Sequence, residues 1–123
     1  MVDKFIVKDS GQRQEYASGM HRDLQEGKPR FDLIIPKDQA YEESMLYRLG
    51  TLLAKAIPKY GERNWEKANS VEEYDRFKSS ALRHMMQYQS GELDEDHASA
   101  VLFNIIAAEY VKGKLEKIVD GKK

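Results

Sequence analysis

The chain has 123 residues, carries 20 Lys+Arg against 21 Asp+Glu for a formal net charge of −1, and contains no cysteine. This length suits a single domain with a real core, and the near-neutral charge provides no global basic field, so no nucleic-acid polymer is expected as a partner. Without cysteine there are no disulfides, thiolate metal sites or cysteine nucleophile, which agrees with a reducing cytoplasm and leaves any metal to oxygen and imidazole ligands.

The first residues, Met1-Val2-Asp3-Lys4, lack an apolar run of signal-peptide length. No segment reaches the roughly 20 apolar residues of a membrane span. A soluble intracellular protein with no membrane partner is expected.

Residues 1–37 are polar and broken by Gly11, Gly19, Gly27, Pro29 and Pro36. They read as an N-terminal arm belonging to the same domain as the rest. Its two apolar runs, Phe5-Ile6-Val7 and Phe31-Asp32-Leu33-Ile34-Ile35, suit a short strand or an extended segment, and periodicity does not separate the two. From Asp38 to the C-terminus the pattern is helical. Met45, Leu46, Leu49, Leu52, Leu53, Ala56, Ile57 and Tyr60 recur at three-and-four spacing and predict a first helix over about 39–60, with Gly61 as its left-handed cap and Pro58 trimming the last turn.

A second helix is predicted from Ser70-Val71-Glu72-Glu73, a capping box in which Ser70 accepts from the Glu73 amide and Glu73 reaches back to the Ser70 amide. Tyr74, Phe77, Ala81, Met85 and Tyr88 give its apolar stripe, and it ends before Gly91. Arg76, Ser80, Arg83 and Gln87 form a polar ridge on a neighbouring face. A third helix is predicted from Asp94 as N-cap, with Glu95 and Asp96 in a first turn favoured by the helix dipole. Apolar residues surround it from Ala100 to Ala108, so it should be the central, most buried helix. Val111, Leu115, Ile118 and Val119 extend it or make a short fourth helix after Gly113. The fold class is therefore all-α, a three- or four-helix bundle whose narrow interior is completed by homo-oligomerisation.

The densest chemistry lies in Asp94-Glu95-Asp96-His97, at the mouth of the most apolar helix. Acids at a helix start usually cap it. Four consecutive metal- or proton-competent groups exceed what a cap needs, and a magnesium or manganese site wants two or more carboxylates on one rigid element. His97 and Asn104 lie two turns apart on one face and read either as a satisfied core pair or as site residues. Arg83 belongs to the polar ridge, while His84 falls beside the apolar stripe and should be at least half buried. Trp65, the sole tryptophan, stands in a loop among Asn64, Arg63 and Glu66, either closing over a ligand or plugging the bundle end. Lys28-Pro29-Arg30 is a short basic cluster, and such clusters are mostly surface.

Taken together, Arg22-Asp23, Glu26-Gly27-Lys28-Pro29-Arg30-Phe31-Asp32-Leu33, Lys59-Tyr60-Gly61-Glu62-Arg63-Asn64-Trp65-Glu66-Lys67, Ser80-Ala81-Leu82-Arg83-His84 and Asp94-Glu95-Asp96-His97 with Asn104 resemble the MazZ-like phage dATP/dGTP diphosphohydrolase family. That family is similar to the all-α MazG-like nucleotide pyrophosphohydrolases, and the resemblance runs from about residue 19 to 110. It implies a small MazG-like bundle in a bacterial host cytoplasm, acting on a purine (deoxy)nucleoside triphosphate, dGTP ahead of dATP. Cleavage between the α and β phosphates would leave a monophosphate and pyrophosphate, with Mg2+ or Mn2+ on helix-borne carboxylates. Typical MazG-like proteins carry an E-x-x-E and an E-x-x-D pair on successive helices. Helix two here has no inward acid pair, which leaves Glu72 and Glu73, or Glu62 and Glu66, as the remaining acids.

On that reading Asp94, Glu95 and Asp96, with Glu62, hold the metal, and His97 or His84 completes its shell or takes the attacking water's proton. Arg83, with Lys28 and Arg30, clamps phosphates, Asn64 and Trp65 touch base or sugar, and Lys59 and Asn104 also bind the substrate. The alternatives are a non-catalytic nucleotide-binding protein and a helical interaction module.

Overall fold

The computed structural model describes residues 6–121, and of the side chains those up to residue 118. Met1–Lys4 and Phe5, named above, lie outside the described residues, as does the side chain of Val119. The chain divides into two compact units, Met1–Asp32 and Leu33–Lys123.

In the first unit, β1 (Arg13–Glu15) and β2 (His21–Asp23) pair antiparallel, with Gln14 opposite Arg22. The turn between them uses Gly19 at φ 92°, a left-handed conformation that glycine adopts without a Cβ penalty, and its amide donates to the Tyr16 carbonyl at 2.8 Å. Neither strand is apolar. Asp23 gathers the amide and hydroxyl of Ser10 and forms ion pairs with Lys28 at 3.3 Å and Arg13 at 3.6 Å. Hydropathy patterning gives no sign of such a hairpin, because a turn and charge pairing specify it rather than a buried face. The apolar run after Arg30 is a 3-10 turn, Phe31–Ile34, and not a strand.

The second unit holds α1 (Met45–Tyr60), α2 (Val71–Gln89) and α3 (His97–Gly121). Helix α1 starts six residues later than its apolar pattern predicts. Ser44 caps it, accepting from the Tyr47 amide at 3.2 Å and donating to the Tyr41 carbonyl at 2.7 Å, so residues 41–43 form a separate 3-10 turn. Gly61 closes α1 at φ 86°, as expected. A further 3-10 turn, Asn64–Lys67, leads to α2. There Ser70 caps the Glu73 amide at 3.1 Å, and the Glu73 carboxylate reaches the Asn69 amide at 2.9 Å, one residue beyond the expected Ser70 amide.

Helix α3 lies between the other two, packing extensively on α2 and less on α1. Ala81, Ala100, Ala107, Ala108 and Val111 are buried, and such small side chains let the helix backbones approach closely. Phe77 meets Phe103 edge to face, their ring centroids 6.3 Å apart. The buried stripe of α2 runs through Ala81 and His84, whereas Met85 and Tyr88, expected on it, are exposed. Helix α3 continues unbroken through Gly113, so among the described residues there is no fourth helix. It carries much of the core but is not covered all round, since Leu102, Ile105 and Ile106 remain 38–47% exposed. Among the described residues no helix is long and apolar enough to cross a membrane.

Candidate functional site

A cavity of about 580 Å³ opens between α1, α3 and the turn that follows α1. Leu52, Leu53, Ala56 and Ile57 of α1 form one wall, and Ala100, Phe103 and Asn104 of α3 face them. This explains why α1 buries no residue completely despite its apolar stripe. That stripe lines a pocket instead of a core.

Trp65 sits in the 3-10 turn that follows α1. Its ring packs edge-on against Phe103 and Tyr110, with centroids 5.9 and 5.4 Å away, and it also lines the cavity. Lys114 of α3 holds this turn in place by donating to the carbonyls of Glu66 and Ala68, with its ammonium above the Tyr110 ring. Polar groups reach the pocket from Asn64, Asn104, Glu62, Glu95 and His84. Asn104 donates through Nδ2 to the Ala100 carbonyl at 2.7 Å, an assignment that leaves its Oδ1 as an acceptor.

Behind the pocket wall lies a line of titratable groups. His84 Nδ1 and His97 Nδ1 are 2.9 Å apart, and His97 Nε2 is 2.8 Å from Asp94 Oδ1. Both imidazoles are buried. Burial, followed by the nearby Arg83 charge, pushes His84 below the ordinary imidazole range and favours its neutral form. The His97 hydrogen bond holds the Asp94 carboxyl below its usual range, so it is ionised at neutral pH. Glu92 joins this line, and one ligand atom each from Glu92, Asp94 and His97 lie within 4.8 Å of one another. Two carboxylates and one imidazole fit a divalent cation, and the nitrogen favours manganese or a later transition metal over magnesium.

The four consecutive groups of the sequence therefore separate. Asp94 and His97 meet Glu92, and Glu95 turns to the pocket. Asp96 is instead the N-cap of α3, which begins two residues later than expected because Asp96, not Asp94, accepts from the Ser99 amide at 3.1 Å and hydroxyl at 2.8 Å. The Arg48 guanidinium forks onto the same carboxylate at 2.9 and 2.6 Å, tying α1 to the start of α3. This pairing lowers the Asp96 pKa to about 2. A carboxylate so engaged offers little to a metal.

Arg83 is exposed and lines a separate groove with Gln87 and Glu92. Lys59 is exposed beside the Tyr60 ring. In the first unit Lys28 pairs with Asp23, and Arg30 forks onto Asp32 at 2.9 and 2.7 Å. Of the other acids, Glu66 pairs with Arg63 and Glu73 serves the α2 cap. Glu92 and Arg48 escape a reading by sequence. The spacing Glu92-x-Asp94-x-x-His97 is the one signal for Glu92, since alternate residues of an irregular turn can face the same way.

A family model described as "dATP/dGTP diphosphohydrolase, N-terminal" matches residues 18–119. No curated protein and no solved structure matches the chain.

Proposed function

The chain belongs to the dATP/dGTP diphosphohydrolase N-terminal family, and from that premise we propose that its helical unit binds a purine deoxynucleoside triphosphate and hydrolyses it to the monophosphate and pyrophosphate. The observation that carries this reading is the pocket beside Trp65, whose volume and mix of apolar walls with few polar groups suit a nucleoside.

The aromatic surface of Trp65 and Phe103 takes the base, and a two-ring purine gains the larger contact. Asn104 Oδ1 accepts from the base edge. Guanine presents two adjacent N–H groups there and adenine one amino group, which favours dGTP. Glu95, exposed and lining the pocket, accepts the proton of the attacking water. Glu92, Asp94 and His97 are the residues that would hold a divalent cation, Mn2+ ahead of Mg2+. When bound, the cation offsets phosphate charge and acidifies coordinated water. Arg83, in the groove it shares with Glu92, supplies a guanidinium fork for phosphate oxygens. A second copy of the chain covers the exposed face of Leu102, Ile105 and Ile106.

Chromatography of dGTP and dATP reactions with Mn2+ tests the chemistry. Deoxynucleoside monophosphate with intact pyrophosphate is expected. A diphosphate with free orthophosphate contradicts the assigned bond, and no product from any nucleotide reduces the protein to a binding role.

A further inference from the structure

The hydrogen bond between His84 and His97 joins two nitrogens of the same kind, Nδ1 to Nδ1, at 2.9 Å. While both rings are neutral, only one of these atoms carries the hydrogen between them. Which one is decided at the far side of His97. Asp94 Oδ1 lies 2.8 Å from His97 Nε2, and an ionised carboxylate only accepts. In the metal-free protein the His97 hydrogen therefore sits on Nε2. Its Nδ1 is then an acceptor, His84 Nδ1 is the donor, and His84 Nε2 carries a bare lone pair. Among the described residues His84 is hydrogen-bonded through Nδ1 alone, and His84 lines the nucleotide pocket.

A cation on Glu92, Asp94 and His97 reverses this order. It needs the lone pair of His97 Nε2, so the His97 hydrogen must move to Nδ1. His84 Nδ1 then accepts, and the hydrogen of His84 moves to Nε2. Protons balance: one leaves His97 Nε2 for water by way of the exposed Asp94 carboxylate, the shared one passes from His84 to His97, and His84 Nε2 takes one from water. Each ring keeps a single hydrogen throughout. The His97 side chain is 1% exposed, so neither nitrogen has bulk solvent as an alternative partner.

We propose that occupancy of the Glu92, Asp94 and His97 site sets, through this shared hydrogen bond, whether His84 presents an acceptor or a donor to the pocket. The inference rests on reading that cluster as the metal site. It makes cation binding and recognition at the pocket wall thermodynamically linked, each altering the other by the same factor.

Long-range proton–nitrogen correlation spectra of 15N-histidine-labelled protein at pH 8, where free imidazoles are neutral, test it with Zn2+ as a diamagnetic probe. A His21→Gln background removes the exposed third histidine. Without metal, His97 is expected as the Nε2–H form and His84 as the Nδ1–H form, and saturating Zn2+ inverts both. Zinc bound at His97 with His84 still Nδ1–H overturns the coupling and leaves the metal site standing. A His97 signal unmoved by zinc overturns both. A metal-free spectrum already showing His84 as Nε2–H also overturns the coupling.

Discussion

Asp94 and Asp96 are two residues apart and do different work. Asp94, with Glu92 and His97, faces a point where a cation would be held, whereas both oxygens of Asp96 are taken by Arg48 and Ser99. A thermal-shift experiment with Mn2+ separates them. At about 100 times its Kd a cation stabilises by roughly 2.7 kcal/mol. Glu92→Gln should lose most of that rise while leaving the metal-free protein as stable or more so, because two like charges no longer face each other. Asp96→Ala should keep the rise yet melt lower, by about 1–2 kcal/mol for a lost cap and a stranded guanidinium. An undiminished manganese response in Glu92→Gln removes Glu92 from the site. Sequence reasoning grouped Asp94 and His97 with Asp96, because four adjacent polar letters do not reveal where the helix starts. Capping decides that, and it sends Asp96 to Arg48, forty-eight positions away.

Between elements, the Arg48–Asp96 fork is the contact most exposed to pH. The folded Asp96 pKa of about 2 lies below its ordinary 3.8, so the pair contributes stability that is full above pH 4 and is lost as pH falls from 4 through 2. The shift would be worth more than 2 kcal/mol if fully counted, but both side chains are partly exposed and screening reduces it to about 1 kcal/mol. In metal-free buffer, Arg48→Met should therefore lower stability at pH 7 and flatten its decline between pH 4 and 2. Parallel curves for the two proteins would show that the fork contributes nothing. The Trp65 turn depends on a different link, Lys114 to the carbonyls of Glu66 and Ala68. Lys114→Met should raise KM for dGTP several-fold with kcat nearly unchanged, since the turn would be placed less firmly while the acids stay intact. A fall in kcat alone would contradict that assignment. The three helices were legible from apolar spacing, Gly61 and Ser70, because each signal is local. The starts of α1 and α3 were not, because Ser44 and Asp96 interrupt the apolar pattern with caps that it does not register. The polar hairpin Arg13–Asp23 carries no hydrophobic alternation at all.

Within the helical unit, the exposure of Leu102, Ile105 and Ile106 along α3 marks a face that the unit's described residues leave uncovered. Analytical ultracentrifugation should find a dimer or larger species, and Ile105→Lys should shift it to monomer. A wild-type monomer at high micromolar concentration contradicts self-association. The sequence made α3 the central helix from its all-round apolar character. It could not show that part of this character lies on an uncovered face, because periodicity does not distinguish an intramolecular neighbour from a second copy. The pocket was equally hidden, since an apolar stripe on α1 reads the same whether it meets a core or a cavity. Placement of the purine in that cavity against Trp65, as proposed, is directly readable through the chain's single tryptophan. Titration of wild-type protein with dGMP, followed by tryptophan emission, should give a saturable change that Asn104→Leu weakens at least tenfold. Emission unchanged at dGMP concentrations that inhibit dGTP hydrolysis would place the nucleotide elsewhere and contradict the account.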